Sequence, residues 1–494
     1  MERTRTAFRD APDSLYQHTG VPDMCLRDLP GTEHFFARWL SRSSCFALAC
    51  AALVATPVAH AYITAGPDGT YSTIQDAVDA AIAHGGDEVR VERCIALCSL
   101  LQSVSIVDST SPITLSGGWS TDFQSQPAGY YTHLLGYINI LVGKYVHGGH
   151  VSVSRFFLDG SGFEATNAPG FKVLLAGETT TEVELFANTI YGFQAQGSTD
   201  GGAGLWLLAA DSMTISAHDN SIQGNTYSGT DNGHVYGAGA YLRADGGTIE
   251  FSSNTVINNT LSNSNGGGCH GGGVYATTLI GSIQKGTITL RNNQYSGNAQ
   301  LFCTSGATGD AAELRASGAG KIFVYDEKWT ANNVPNNPGV YEVFIQSQSG
   351  SQLLAANGLI THGTWGGLFL SADASSKIYV SNFTVADNPA VGITAYGSGT
   401  EIWNTLLWND GANLDLHDNA YVAYALNGPN PLFVDSANGN YRLSPGSPAY
   451  NAGSNVPTGG LRSTDLDGYP RPFAAVADIG AYEFHDRIFA SGFD

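Results

Sequence analysis

The stretch NTVINNT, Asn254 to Thr260, sets Val256 and Ile257 between asparagines, a residue that suits neither helix nor strand interiors. The pattern comes back. Read as N-x-apolar-x-x-N, it recurs as NTIYGF at Asn188, NSIQGN at Asn220, NTVINN at Asn254 and NQYSGN at Asn293. RFFLDG at Arg155 is an earlier copy, and EKWTAN at Glu327 a degenerate one. NGLITH at Asn357, NFTVAD at Asn382 and NTLLWN at Asn404 follow. Successive copies stand 33, 32, 34, 39, 34, 30, 25 and 22 residues apart. A second word keeps pace: GLWLL at Gly204, GAYLR at Gly239, GGVYA near Gly273, AELRA near Ala312, GLFLS at Gly367 and GITAY at Gly392. Such spacing marks a repeat architecture.

Each unit carries short alternating strands, such as Thr287-Ile-Thr-Leu and Lys377-Ile-Tyr-Val, and no helical period. A leucine ladder is missing, and the period is shorter than a propeller blade needs. Parallel coils that stack strand on strand fit best. At the corner of such a coil Asn tolerates left-handed backbone and can ladder its amide from rung to rung. Asn188, Asn220, Asn254 and Asn293 are therefore expected to be structural.

Only 13% of the residues are charged, against about 25% in an ordinary soluble domain, and 61 are glycine, which suits an all-β chain with many tight turns. The net charge of −21 argues against nucleic acid, whose phosphates need a basic surface. Arg38 and Arg42, the apolar run CFALACAALVATPVAHA and the small-x-small site Ala59-His60-Ala61 form a secretory signal, with the mature chain starting near Tyr62. Past it stand Cys94, Cys98, Cys269 and Cys303. In an exported chain they suggest disulfides, and three pairings are open.

A solenoid needs covered ends. DGTYSTIQDAVDAAIAHGG supplies a helix near the start: Ser72-x-x-Gln75 reads as a capping box, Ile74, Ala77, Val78, Ala81 and Ile82 share one face, and Gly85-Gly86 end it. GTYSTIQDAVDAA resembles the opening of right-handed parallel β-helix proteins of the pectin-lyase-like class. PLFVDSANGNYRLSPGSPAYNAGS, TDLDGYPRP and DIGAYEF are similar to the C-terminal region of secreted bacterial β-helix proteins of the choice-of-anchor Q type. The resemblance spans about residues 66–484 and implies fold and export, not an activity, because the fold hosts enzymes, adhesins and coat proteins alike. The QDTL and DFIFG words of pectin methylesterases and the NTD and RIK words of polygalacturonases are absent, FQAQGSTD at 193–200 being only an echo. The His-Gly pairs at His147, His270 and His362 read as turns. His147 and His150 lack a third metal ligand nearby.

Alternation gives the second word its faces. Leu205, Leu207, Ala240, Leu242, Val274, Ala276, Ala312 and Leu314 point inward. Trp206, Tyr241, Tyr275, Glu313 and Phe369 fall in one outward column, with Arg243, Thr277 and Arg315 in the next. Sugar rings stack on aromatic strips, and Arg pairs with uronate carboxylates. Trp206, Tyr241, Tyr275, Arg243 and Arg315 are thus candidate polysaccharide contacts. Arg243, Glu313 and Arg315 are candidate catalytic groups, since some lyases of the resembled class use Arg as base. The competing arrangement has the long turns 227–235 and 261–268 covering the aromatics.

The expectation is an exported all-β protein, a right-handed parallel β-helix solenoid with an N-terminal capping helix and a C-terminal cap. Its segments are 1–61 extension and signal, 62–110 N-terminal cap, 111–427 β-helix, 428–484 C-terminal capping region and 485–494 tail. The protein is expected to be a secreted or cell-surface monomer whose partner is polysaccharide or a cell-surface glycan. Alternatives are a lyase or hydrolase acting on acidic polysaccharide and a non-enzymatic adhesin. No cofactor is expected; the acidic charge is compatible with Ca²⁺.

Overall fold

The computed structural model describes residues 62–93, 100–107, 111–142, 149–161, 169–175, 181–197, 201–278, 285–303, 306–332 and 339–485. The segment expected to be a signal, Cys94, Cys98, His147 and the RIFASGFD tail lie outside them.

One turn of the coil explains NTVINNT. Strand Thr248–Ser252 runs to a bend at Ser253, which takes the left-handed φ of 55°; a short strand Thr255–Ile257 follows, then a second bend at Asn258, also φ 55°, then strand Thr260–Ser262. After Cys269–His270 the chain enters Val274–Thr278 and starts the next turn. Within the coil, strands pair in parallel with their equivalents one coil before and after: Val256 lies between Ile222 and Tyr295, and Ala276 between Leu242 and Leu314. The described residues build a 22-stranded sheet bent at the first corner, an 11-stranded sheet opposite it, and smaller four- and three-stranded sheets in the middle coils, within residues 194–301 and 235–308. The architecture is a right-handed parallel β-helix. Among the described strands, antiparallel pairing is confined to Phe433–Asp435 with Asn440–Leu443.

The inward column Ile190, Ile222, Val256, Tyr295, Trp329, Ile360, Val385 and Leu407 is sealed from solvent from end to end. Burial of this kind is what drives the coil to close, at about 1.5–3 kcal/mol per large side chain.

The two bends are held by two asparagine ladders. At the first, Asn188, Asn220, Asn254 and Asn293 are buried. Asn254 Oδ1 accepts both the backbone N–H and the Nδ2–H of Asn220, while Asn254 Nδ2 donates to the Ala217 carbonyl and to Asn293 Oδ1. At the second bend Asn225, Asn259, Asn298 and Asn332 repeat the arrangement. The repeat's first and last letters are therefore the side chains that satisfy the bends' N–H groups where no water reaches. The glycines opening the second word fit the same device. A Cβ at Gly204 would stand 2.5 Å from the Gly239 carbonyl oxygen and 3.0 Å from Asn225 Nδ2, and Gly239 repeats this against Gly273 and Asn259.

Past Glu327 the words slip by one residue against the expected alignment. Asn357, Asn382 and Asn404 themselves take left-handed φ values of 58°, 56° and 50°, the place of Ser253, and the ladder position opposite Glu327 is Gly358. A glycine offers no amide, so the first ladder ends on a carboxyl group: Glu327 Oε1 accepts the N–H and Nδ2–H of Asn293. The second ladder ends on Glu342, which accepts the N–H of Asn332. A third, short run has Asn388 donating from N and Nδ2 to Asp410.

The N-terminal helix is Ile74–Ala83, with Ile74, Ala77, Val78 and Ala81 buried and Ile82 packed at the margin. Its N-cap is Thr73, one residue after the expected Ser72. Thr73 Oγ1 accepts from the Asp76 N–H, while Gln75 reaches across to bond Ser105 of the first coils. Cys269 and Cys303 form a disulfide.

The C-terminal words fold along the flank of the late coils. Tyr441, Leu466, Ala481 and Tyr482 pack on Leu359 and Ala386, and Leu443, Ala449 and Ile479 on Leu406. Asn357, Asn382 and Asn404, at the bends, bond the Thr464, Asp478 and Ser454 carbonyls. The charged letters of TDLDGYPRP and DIGAYEF clasp one another. Arg471 pairs with Glu483 at 3.0 Å with both side chains buried, and Asp465 accepts the N–H groups of Asp467, Tyr469 and Glu483. These residues act as fasteners. The last rung, Ala412–His417 and Tyr421–Ala423, has no buried residue and is partly exposed along its length.

Candidate functional site

The outer face of the 11-stranded sheet carries the chemistry. Its column reads Lys172, Trp206, Tyr241, Tyr275, Glu313, Phe344, Phe369, and the next Leu174, Leu208, Arg243, Thr277, Arg315, Gln346, Ser371, Tyr396, His417. All eight residues assigned inward are fully buried. Neighbours in a column stand ~4.8 Å apart along the coil axis, so rings in register meet. Trp206 and Tyr241 meet edge to face at 6.2 Å, Tyr241 and Tyr275 stack at 5.7 Å, and Phe344 and Phe369 stack at 4.7 Å.

The strip is not open along its whole length. Tyr241 is 6% and Tyr275 7% exposed. The turns 227–235 and 261–268 lead into the short strands Val235–Tyr236 and Cys269–His270, which with Ala307–Thr308 form the three-stranded sheet. This sheet lies over the middle of the column, with the Tyr236 ring 4.7 Å from Tyr275 and 6.2 Å from Tyr241. The competing arrangement therefore holds for Tyr241 and Tyr275, because the turns carry aromatic and imidazole rings that stack on them. Two stretches stay partly open. On one side Lys172 lies 4.2 Å above the Trp206 ring. On the other are Tyr341, Phe344, Trp365, Phe369, Tyr396 and His417, the last two stacked at 4.4 Å.

The candidate cations each have a partner. Arg243 forms an ion pair with Asp245 at 2.8 Å, and Arg315 with Glu313 through its Nε. About a third of each Arg side chain is exposed, while Glu313 is wholly buried. Burial would lower both guanidinium pKa values, but the carboxylates outweigh it and raise them. Both stay charged.

Glu313 gathers a polar cluster under the three-stranded sheet. Its carboxylate accepts from Arg315 Nε, from Thr308 Oγ1 and, at 2.9 Å, from His270 Nδ1. His270 Nε2 lies 2.7 Å from His234 Nδ1, and the Tyr236 ring stacks on His270 at 5.1 Å. His270 is buried and His234 exposed. Burial, and then the neighbouring His270 and the Arg315 charge, lower the His234 pKa against the pull of Glu313. Burial, then the Glu313 charge, raise the Tyr275 phenol, so that hydroxyl stays protonated. His234, Tyr236, His270 and Thr308 escaped the reading of the sequence. Their strands are two residues long and show no period, and His270 was assigned to a turn through Gly271. The available signal was an imidazole in each of two successive turns, His234 and His270, both ahead of a column tyrosine. His362 lies against Tyr441, and His150 stands 3.7 Å from Glu182.

Among the described residues no group of three or more His, Cys, Asp or Glu side chains is arranged to hold a metal ion, and no helix is long and apolar enough to cross a membrane. No family model matches the chain, and no curated protein matches it. Among solved structures it is similar to pectate lyase Pel9A, at 11% identity over 86% of this chain and 96% of that one, with a TM-score of 0.40. It is also similar to the A-modules of the Azotobacter vinelandii mannuronan C-5 epimerases AlgE6 and AlgE4. The AlgE6 match has 16% identity over 72% of this chain and 94% of that one, with a TM-score of 0.27. The AlgE4 match has 15% identity over 72% and 93%, with a TM-score of 0.25.

Proposed function

We propose that this chain is an exported protein that binds extracellular polysaccharide along the outer face of the 11-stranded sheet. The observation that carries this reading is the column from Lys172 to Phe369, in which the rings of Trp206, Tyr241 and Tyr275 and, past Glu313, of Phe344 and Phe369 stand in register from coil to coil, with Arg243 and Arg315 alongside. Partly exposed rings with fixed orientation offer apolar sugar faces a platform, and the two guanidinium groups offer uronate carboxylates a charged partner. The contacts fall to Trp206 with Lys172 on one side and Phe344 with Phe369 on the other, and Arg243 and Arg315 line the path between them. Tyr241 and Tyr275 support the floor beneath Tyr236. The net charge of −21 makes the local pairing of these two Arg with the polymer sensitive to salt.

Phe344→Ala with Phe369→Ala is expected to weaken binding to a responsive polysaccharide about tenfold or more, since each stacked ring contributes ~0.5–1.5 kcal/mol beyond its burial. Trp206→Ala is expected to act in the same direction. Glycan-array screening followed by titration of the hits measures both. Equal affinity in wild type and all variants, or no bound glycan at all, would discard the reading.

A further inference from the structure

A buried carboxylate ringed by donors is common in structural ion networks. What sets Glu313 apart is that the chain of bonds it begins leads outward. Glu313 Oε2 accepts the proton of His270 Nδ1, so neutral His270 presents Nε2 as an acceptor. His234 Nδ1, 2.7 Å away, must then be the donor. That fixes the tautomer of an exposed imidazole and leaves its Nε2 with a bare lone pair. Beside it, Arg315 gives its Nε to Glu313, keeps about a third of its side chain exposed and lies over the Phe344 ring at 5.6 Å. Tyr236, stacked on His270, closes the other side. The cluster interrupts the aromatic column between its two open stretches.

We propose that Glu313, His270 and His234 form a proton relay in which His234 Nε2 takes the proton from the carbon next to the carboxylate of a uronate residue, with Arg315 paired to that carboxylate. This rests on the polysaccharide reading above. In the step the C–H bond breaks and its electron pair stays on the substrate as the enolate of the carboxylate, facing Arg315. The proton goes to His234 Nε2. The Nδ1 proton of His234 passes to His270 Nε2, and His270 becomes an imidazolium held by Glu313. Return of a proton from His234 to the same face completes an exchange, and delivery of a proton from water to the opposite face inverts the carbon. Expulsion of the glycosidic oxygen one carbon further leaves an unsaturated end; that oxygen takes a proton from water, and the hydroxide so formed is neutralised by the proton the imidazolium releases. His234 is the catalytic residue, and His270 and Glu313 are positioning residues. The groups that face His234 are His270, Glu313 and Arg315; burial, then His270 and Arg315, lower its pKa against the pull of Glu313.

The test uses the full chain with polygalacturonate, polymannuronate and polyguluronate in D₂O. Three quantities are read: deuterium at the carbon next to the carboxylate, ultraviolet absorbance of unsaturated ends, and binding by affinity electrophoresis. Wild type is expected to exchange or eliminate on at least one polymer. His234→Asn is expected to lose about a hundredfold or more of that turnover with binding unchanged. His270→Asn is expected to lower turnover and shift its pH profile. Nitrogen NMR is expected to find His234 protonated at Nδ1 and bare at Nε2. Binding without exchange or elimination in wild type, full turnover in His234→Asn, or a proton on His234 Nε2 at neutral pH would each overturn the relay. Absence of binding to all three polymers would overturn the polysaccharide reading itself.

Discussion

Raising the pH from about 4.5 to about 8 is expected to lower the thermal midpoint, and Glu327→Gln is expected to recover a large part of the loss. Burial pushes Glu327 up from 4.5 to about 8, its bonds from the Asn293 N–H and Nδ2–H only partly opposing it. Glu342 reaches about 8 for the same reason, and Asp410 rises from 3.8 to about 7. All three are acids whose folded form holds its proton more tightly than the unfolded chain does. Their contribution is complete below the unfolded values, declines as the unfolded chain ionises, and is gone once the pH passes the folded values. The window therefore runs from about 4 to about 8, and each ladder end contributes on the order of a few kcal/mol across it. Asp373 has the opposite sign. Burial raises it, but the Ser349 N–H and the Ser376 and Ser375 hydroxyls outweigh this and hold it at about 2, so its contribution is lost only under acid. Glutamine at 327 keeps the acceptor for Asn293 and cannot ionise. Calorimetry at pH 5 and pH 8 decides the point. A pH-independent midpoint, or a Glu327→Gln protein with the wild-type slope, would show that the ladder end is not the titrating group.

Asn254→Ala is expected to cost about 2–6 kcal/mol. It strips the acceptor from the Asn220 N–H and the donor from the Ala217 carbonyl, both at a bend closed to water, and each orphaned group costs about 1–3 kcal/mol. Gln223→Ala, one rung earlier and paired with Ile257 but with its side chain half-exposed, is expected to stay within about 0.5 kcal/mol. Denaturant titration of both variants makes the comparison. An Asn254→Ala loss no larger than that of Gln223→Ala would mean the amides decorate the bends without holding them.

The sequence showed the coil because its two devices are local and periodic. A bend that needs an amide recurs once per turn, and a strand half inside the core alternates. So the two ladder positions inside NTVINNT, and the inward set from Leu205 to Leu314, were legible. Where the device changes, the periodicity misleads. At Gly358 the ladder has ended on Glu327, and the words NGLITH, NFTVAD and NTLLWN resume one residue out of step because their asparagines now serve left-handed corners and the C-terminal flank. The site was legible only as a column. Trp206, Arg243, Glu313 and Arg315 stand where alternation puts them. The cover over Tyr241 and Tyr275, and the His234–His270–Glu313 chain that runs from it to the column, depend on turns whose conformation is fixed by contacts across coils and by the Cys269–Cys303 link.

Hydroxyl-radical footprinting with and without a bound polysaccharide addresses the functional face most directly. Protection is expected at Trp206, Phe344, Phe369 and Tyr396, with Phe157, Tyr191 and Phe323 on the 22-stranded sheet unchanged. Protection of that second set, with the first left as reactive as in the free protein, would contradict the assignment.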